Sequence, residues 1–115
     1  MKKYDLEVRT LNFSEKLIIA LKTLPQNIIN YKLVKQAISA GTSIGANYME
    51  ANGAVSKKDF NNKIHISLKE ARETKYWLNL LATTNPEKQN ELSKLLSEVN
   101  ELILIFGKIR STLKK

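Results

Sequence analysis

Apolar residues recur along this chain at intervals of three, four and seven, the spacing that lines one face of an α-helix. The pattern is interrupted at only a few Pro, Gly and Asn positions. In the first periodic stretch, residues 8–23, Phe13, Leu17, Ala20 and Leu21 share a stripe that Leu24 continues; Pro25, followed by Gln26 and Asn27, ends it. The second predicted helix spans 31–52, with Asn30 as its N-cap and Gly53 as its stop. The third spans 57–84. Its core face is Phe60, Ile64, Ser67, Ala71, Thr74, Leu78 and Leu81, and Ser56 with Asp59 forms a weak capping box at its start. The fourth spans 86–113, with Asn85 as cap and Pro86 at the first helical position, where proline is well tolerated. Leu92, Val99, Phe106 and Leu113 repeat there every seven residues, with Leu95, Leu96, Leu102, Ile103 and Ile109 between them. A heptad of this kind favours packing at a shallow crossing angle.

Four amphipathic helices joined by short connections predict an all-α fold, an antiparallel up-down-up-down four-helix bundle occupying residues 1–115 as one domain. The second helix carries an unusual stripe, Ala37, Gly41 and Gly45. Glycine costs up to about 1 kcal/mol relative to alanine inside a helix. Two on one stripe therefore predict a close approach by another backbone, with Val34, Ile38, Ile44 and Tyr48 filling the core beside it.

Composition narrows the class further. The chain has 115 residues, no cysteine, four glycines and two prolines, which excludes a disulfide framework and thiolate metal sites and leaves few turns for an all-β fold. Lys2 and Lys3 are followed by Asp5, Glu7 and Arg9, so no signal-peptide core forms. The apolar run Leu102–Phe106 is far short of the roughly 20 residues that span a bilayer. A cytoplasmic protein without a membrane partner is expected.

Catalytic chemistry finds little to stand on. A di-iron bundle needs two Glu-x-x-His motifs, but His65 is the single histidine and residue 62 is Asn62. No Gly-x-Ser-x-Gly elbow accompanies the serines. Gly41 to Gly45 lacks the Lys-Ser/Thr ending of a phosphate loop. No metal, cofactor or catalytic residue is expected.

The charge is more informative. A formal net charge of +8 points to a polyanionic partner, although the same excess also serves solubility. On the third helix Lys58, Asn62, His65, Lys69, Arg72 and Tyr76 fall on one polar stripe. Its cations can neutralise phosphates and its rings can stack on exposed bases, while an ordinary solvated face has the same spacing. Lys108, Arg110, Lys114 and Lys115 form a second basic group, which also suits the negative end of a helix dipole. Trp77 flanks the buried stripe and fits either a core margin or a subunit interface.

Several runs carry a family resemblance. Gly41-Thr42-Ser43-Ile44-Gly45-Ala46-Asn47, Glu50-Ala51, Ser56-Lys57-Lys58-Asp59-Phe60, and Lys69-Glu70-Ala71-Arg72-Glu73-Thr74-Lys75-Tyr76-Trp77-Leu78 resemble the signature of the bacterial four-helix bundle proteins also called 23S ribosomal RNA intervening-sequence proteins. The resemblance covers essentially the whole chain. It implies an antiparallel four-helix bundle that assembles as a homopentamer, with no enzymatic activity and no catalytic residues to carry over. It also implies kinship with the accessory variability protein of diversity-generating retroelements, a basic pentameric bundle that binds nucleic acid and a reverse transcriptase. Ser39 stands where many members carry Arg, and Met49 where many carry Glu. The first departure weakens a phosphate site on the second helix.

The expected function is therefore a non-enzymatic basic homo-oligomer associated with RNA or DNA. Its binding residues would be Lys58, His65, Lys69, Arg72, Tyr76, Lys108, Arg110 and Lys114, with a protein partner such as a reverse transcriptase implied by the resemblance. The alternative is a protein-interaction scaffold whose charge only keeps it in solution.

Overall fold

Two helix starts are fixed by short polar side chains. Asn27 has an extended backbone (φ −145°, ψ 171°) and its Oδ1 accepts the Asn30 N–H at 2.8 Å. Ser56 is also extended, and its hydroxyl accepts the Asp59 N–H at 3.0 Å. Each supplies an acceptor to a helix N–H that has no partner within the helix. The computed structural model describes residues 3–113, and the side chains of 6–113. It contains four α-helices: α1 (Lys3–Leu21), α2 (Ile28–Asn52), α3 (Lys57–Thr84) and α4 (Gln89–Leu113). A 3-10 turn, Pro86–Lys88, links the last two. Among the described residues there is no strand, and no helix is long and apolar enough to cross a membrane.

Two expected caps are corrected. Asn30 does not cap α2; the helix starts one turn earlier, at Asn27, and Asn30 is 3% exposed. Asn85 stands at the N-cap position of the turn after it, but its side chain makes no capping bond there. The two side chains instead bind each other. Asn30 Nδ2 donates to Asn85 Oδ1 at 2.8 Å, and Asn85 Nδ2 donates to Asn30 Oδ1 at 2.9 Å. Asn30 also donates to the Pro25 carbonyl and Asn85 to that of Leu81, and the Thr84 hydroxyl donates to Asn30 Oδ1. This amide clasp ties the α1–α2 connection to the α3–α4 connection. Helix α1 also starts earlier than predicted, because Leu6 and Thr10 extend its buried face by another two turns.

Consecutive helices run antiparallel. Asn30 at the start of α2 meets Asn85 past the end of α3, whereas Glu50 near the end of α2 pairs with Lys63 near the start of α3 at 2.7 Å. Asn52 at the end of α2 donates to Glu7 near the start of α1 at 2.6 Å. The backbones neighbour one another in the cyclic order α1–α2–α3–α4, forming a bundle 44 × 22 × 21 Å. All of the predicted α3 core face is buried except Phe60, which is partly so, and Leu68 joins it. Leu92, Leu95, Val99, Leu102 and Phe106 line the inside of α4, and Tyr48 meets Phe106 edge to face across the core.

The glycine stripe faces α1. A Cβ at Gly41 would overlap the Leu17 side chain, and one at Gly45 would lie 2.8 Å from Thr10 Oγ1. Ala37 on the same stripe is fully buried. On the other side of α2, Ser67 of α3 donates from its hydroxyl to the Ile44 carbonyl at 2.9 Å. On the fourth seam, between α1 and α4, Arg9 binds Glu98 through Nε and Nη2 at 2.7 and 2.9 Å and reaches Glu101 at 2.6 Å. The hydrogen bonds that Arg9 donates to these two carboxylates hold the guanidinium charged more firmly than in a free arginine.

Candidate nucleic-acid interface

Helix α3 presents two faces because its residues repeat with the helical period. Ile64, Ala71 and Leu78 point into the core; His65 and Arg72 follow Ile64 and Ala71 by one residue, Lys69 and Tyr76 precede Ala71 and Leu78 by two, and all four emerge on the outer side. Helix α4 returns along α3, which brings Arg110 beside this stripe. The result is an open groove of about 350 Å³ with the buried Leu68 contributing to its wall. His65, Lys69, Arg72, Tyr76 and Arg110, five of the eight residues expected from the sequence, line it together.

The other three do not. Lys58 lies on the same stripe but about two turns before His65, and it is not part of the groove. Lys108 is exposed and stands about 200° around α4 from Arg110, so it faces elsewhere. Lys114 lies outside the described residues. The groove adds three residues that sequence reasoning assigned differently or passed over, Leu68, Trp77 and Glu73. Trp77 is half-buried and meets Tyr76 edge to face, with ring centroids 5.0 Å apart and planes at 78°. Glu73 brings one carboxylate. The side-by-side aromatics Tyr76-Trp77 within a basic stripe were the available signal for Trp77.

Lys69, Arg72 and Arg110 form no ion pair among the described residues, in contrast to Arg9, Lys63 and Lys88. Three cations and Glu73 give the groove lining a formal charge of +2, and Glu70 lies close enough to Lys69 to interact with it electrostatically. Beside it, burial raises the Glu70 carboxyl above its ordinary value; Glu73 acts in the same direction and Lys69 opposes both. On the outer side of α2 the Ser43 hydroxyl donates to the Ser39 backbone carbonyl, and Met49 is exposed. No group of three or more metal-ligating side chains occurs among the described residues.

The profile of the 23S rRNA-intervening sequence proteins matches residues 2–108, nearly the whole chain. The chain belongs to that family. A solved structure agrees in detail: a protein with unknown function from the S23 ribosomal protein family of Bacteroides thetaiotaomicron is 34% identical over 100% of both chains, with a TM-score of 0.86. No curated protein matches. Within this 23S rRNA-intervening sequence family, neither comparison indicates an enzymatic class. The α3 motif from Lys69 to Leu78, which carries much of the family resemblance, supplies both the core residues Ala71, Thr74 and Leu78 and most of the groove.

Proposed function

We propose that this protein is a non-enzymatic, self-associating bundle that holds the backbone of RNA or DNA in the α3–α4 groove. The observation that carries the reading is the convergence of Lys69, Arg72 and Arg110, which form no ion pair among the described residues, around the exposed Tyr76 ring and the half-buried Trp77. Phosphates supply the charge these residues lack, and each contact releases counterions from the nucleic acid. The family description names a ribosomal RNA intervening sequence, which suits a polyanionic partner.

Binding to labelled RNA and DNA oligonucleotides is expected at low salt and without strong sequence preference. Three cations per groove give a slope of log affinity against log salt of roughly −2 to −3. Replacing both Lys69 and Arg72 with Ala should weaken binding equally across sequences and flatten that slope by roughly 1.5 to 2. Failure to bind either nucleic acid at low salt would overturn the reading in favour of a protein scaffold. Unchanged binding by the double variant would move the site to Lys108 and Lys114.

Self-association rests on a separate observation. Helix α1 buries Leu6, Phe13, Leu17 and Leu21, yet its opposite side exposes Val8, Leu11, Ile18 and Ile19 by 54, 58, 42 and 63%. An apolar stripe on the outside of a helix that already has a complete core face is a surface for another apolar surface, here a further copy of this chain; the number five comes from the family resemblance. Oligomerisation would also set several grooves side by side and raise avidity without new contacts. The wild-type protein should sediment as an oligomer at micromolar concentration, and Leu11→Glu with Ile18→Glu should shift it to monomer while helix content stays the same. A monomeric wild type would refute the assembly.

A further inference from the structure

We infer that the α3–α4 groove takes an unpaired nucleotide, its base stacked on the Tyr76–Trp77 pair and its phosphate held by Arg72, Lys69 and Arg110; this rests on the groove being the nucleic-acid site proposed above. The first observation is Tyr76 itself. It is 59% exposed, an aromatic ring left on the outer side of α3. Its neighbour Trp77 holds it edge to face, with ring planes at 78°. An edge-to-face pair consumes one ring face only, so flat aromatic surface remains open to the groove. A nucleobase is the common biological group that combines a π-face with an attached anion.

Spacing along α3 supports the same pairing. Arg72 lies one turn from Tyr76, about 6 Å along the axis, and Lys69 lies about 4.5 Å beyond it. A phosphate and the base on its own sugar are separated on that scale. Arg110 approaches from α4 and lies against the same groove. Glu73 repels phosphate from its own position and can accept an N–H from a base amino group. A row of cations alone would serve duplex and single strand alike. The open ring surface favours the single strand, because bases within a duplex are already stacked on one another and shield their faces.

The experiment uses the single tryptophan of the chain, Trp77, as an internal reporter. An unstructured oligothymidylate, its duplex with oligoadenylate, inorganic polyphosphate and poly-glutamate, matched in charge, are each titrated into the full-length protein at low salt. Oligothymidylate should bind most tightly and quench Trp77 fluorescence; polyphosphate should bind without that quench. Tyr76→Leu should lose roughly ten- to a hundred-fold in affinity for the single strand, with binding of polyphosphate unchanged, and Tyr76→Phe should retain wild-type affinity because the ring face survives. Circular dichroism of each variant checks that the helices remain. Equal affinity for single strand and duplex without quenching, while Lys69 and Arg72 remain essential, would overturn the stacking inference and leave backbone binding intact. Poly-glutamate binding as tightly as the oligonucleotide would overturn it in favour of an acidic protein partner. Binding of no nucleic acid would instead remove the proposed function itself.

Discussion

Gly41→Leu should destabilise the bundle by on the order of 1–3 kcal/mol or more. Two effects oppose each other at this position. Replacing a glycine inside a helix gains up to about 1 kcal/mol of backbone propensity. Against that, the first added carbon already overlaps Leu17, a fully buried side chain, and Thr74 lies 3.5 Å away on the α3 side. Leucine adds three further carbons to a site with no room for the first. Packing therefore wins, and α1 is pushed off α2. Gly107 is the internal control: a Cβ there has nothing within 4 Å, so Gly107→Ala keeps only the propensity gain and should stabilise by up to about 1 kcal/mol. Urea denaturation of the three proteins at one fixed concentration reads both shifts, since the midpoint of an oligomer depends on protomer concentration. A Gly41→Leu midpoint equal to wild type would show that α1 can retreat without loss, contrary to the packing described.

Asn85→Ala should cost about 1–3 kcal/mol. The asparagine is 1% exposed and exchanges two hydrogen bonds with Asn30. Removing its amide strands one Asn30 N–H in a site closed to water, and a buried polar group without a partner costs about 1–3 kcal/mol. The small void left by the missing amide adds to this. Asn30→Ala should be similarly harmful and should also free the Pro25 carbonyl. The decisive measurement is the double-mutant cycle. Because each amide satisfies the other, the double variant should be less destabilised than the sum of the singles, with coupling in the range of about 0.5–3 kcal/mol. Strict additivity would mean that the clasp contributes nothing as a pair.

How far the candidate site was legible follows from the same distinction between local and distant relations. His65, Lys69, Arg72 and Tyr76 share a stripe because they belong to one helix, and helical geometry places them together whatever the rest of the chain does. Arg110 was visible as a basic residue but not as a neighbour of theirs. It joins the groove because α4 folds back along α3 in a particular register. Lys108, two residues away and equally basic, is carried to a different face by the same rotation. Trp77 was read as core margin or interface; its edge contact with Tyr76 makes it part of the groove wall.

The sequence by itself determined the number of helices, the breaks at Pro25, Gly53 and Pro86, and the inward faces of α3 and α4, because hydrophobic periodicity and proline or glycine chemistry act within a few residues. It also marked Ala37, Gly41 and Gly45 as a place of close approach. Only the tertiary structure decided that α1 fills that place, through Leu17 and Thr10. The Asn30–Asn85 clasp lay beyond sequence reasoning for the same reason: asparagine beside a helix boundary ordinarily caps, and no spacing reveals that another asparagine 55 residues away supplies a better partner. The outward apolar side of α1 is the last such case. Val8, Leu11, Ile18 and Ile19 are as apolar as the core residues, and it is the completed bundle, with Leu6, Phe13, Leu17 and Leu21 occupying its interior, that leaves them facing water.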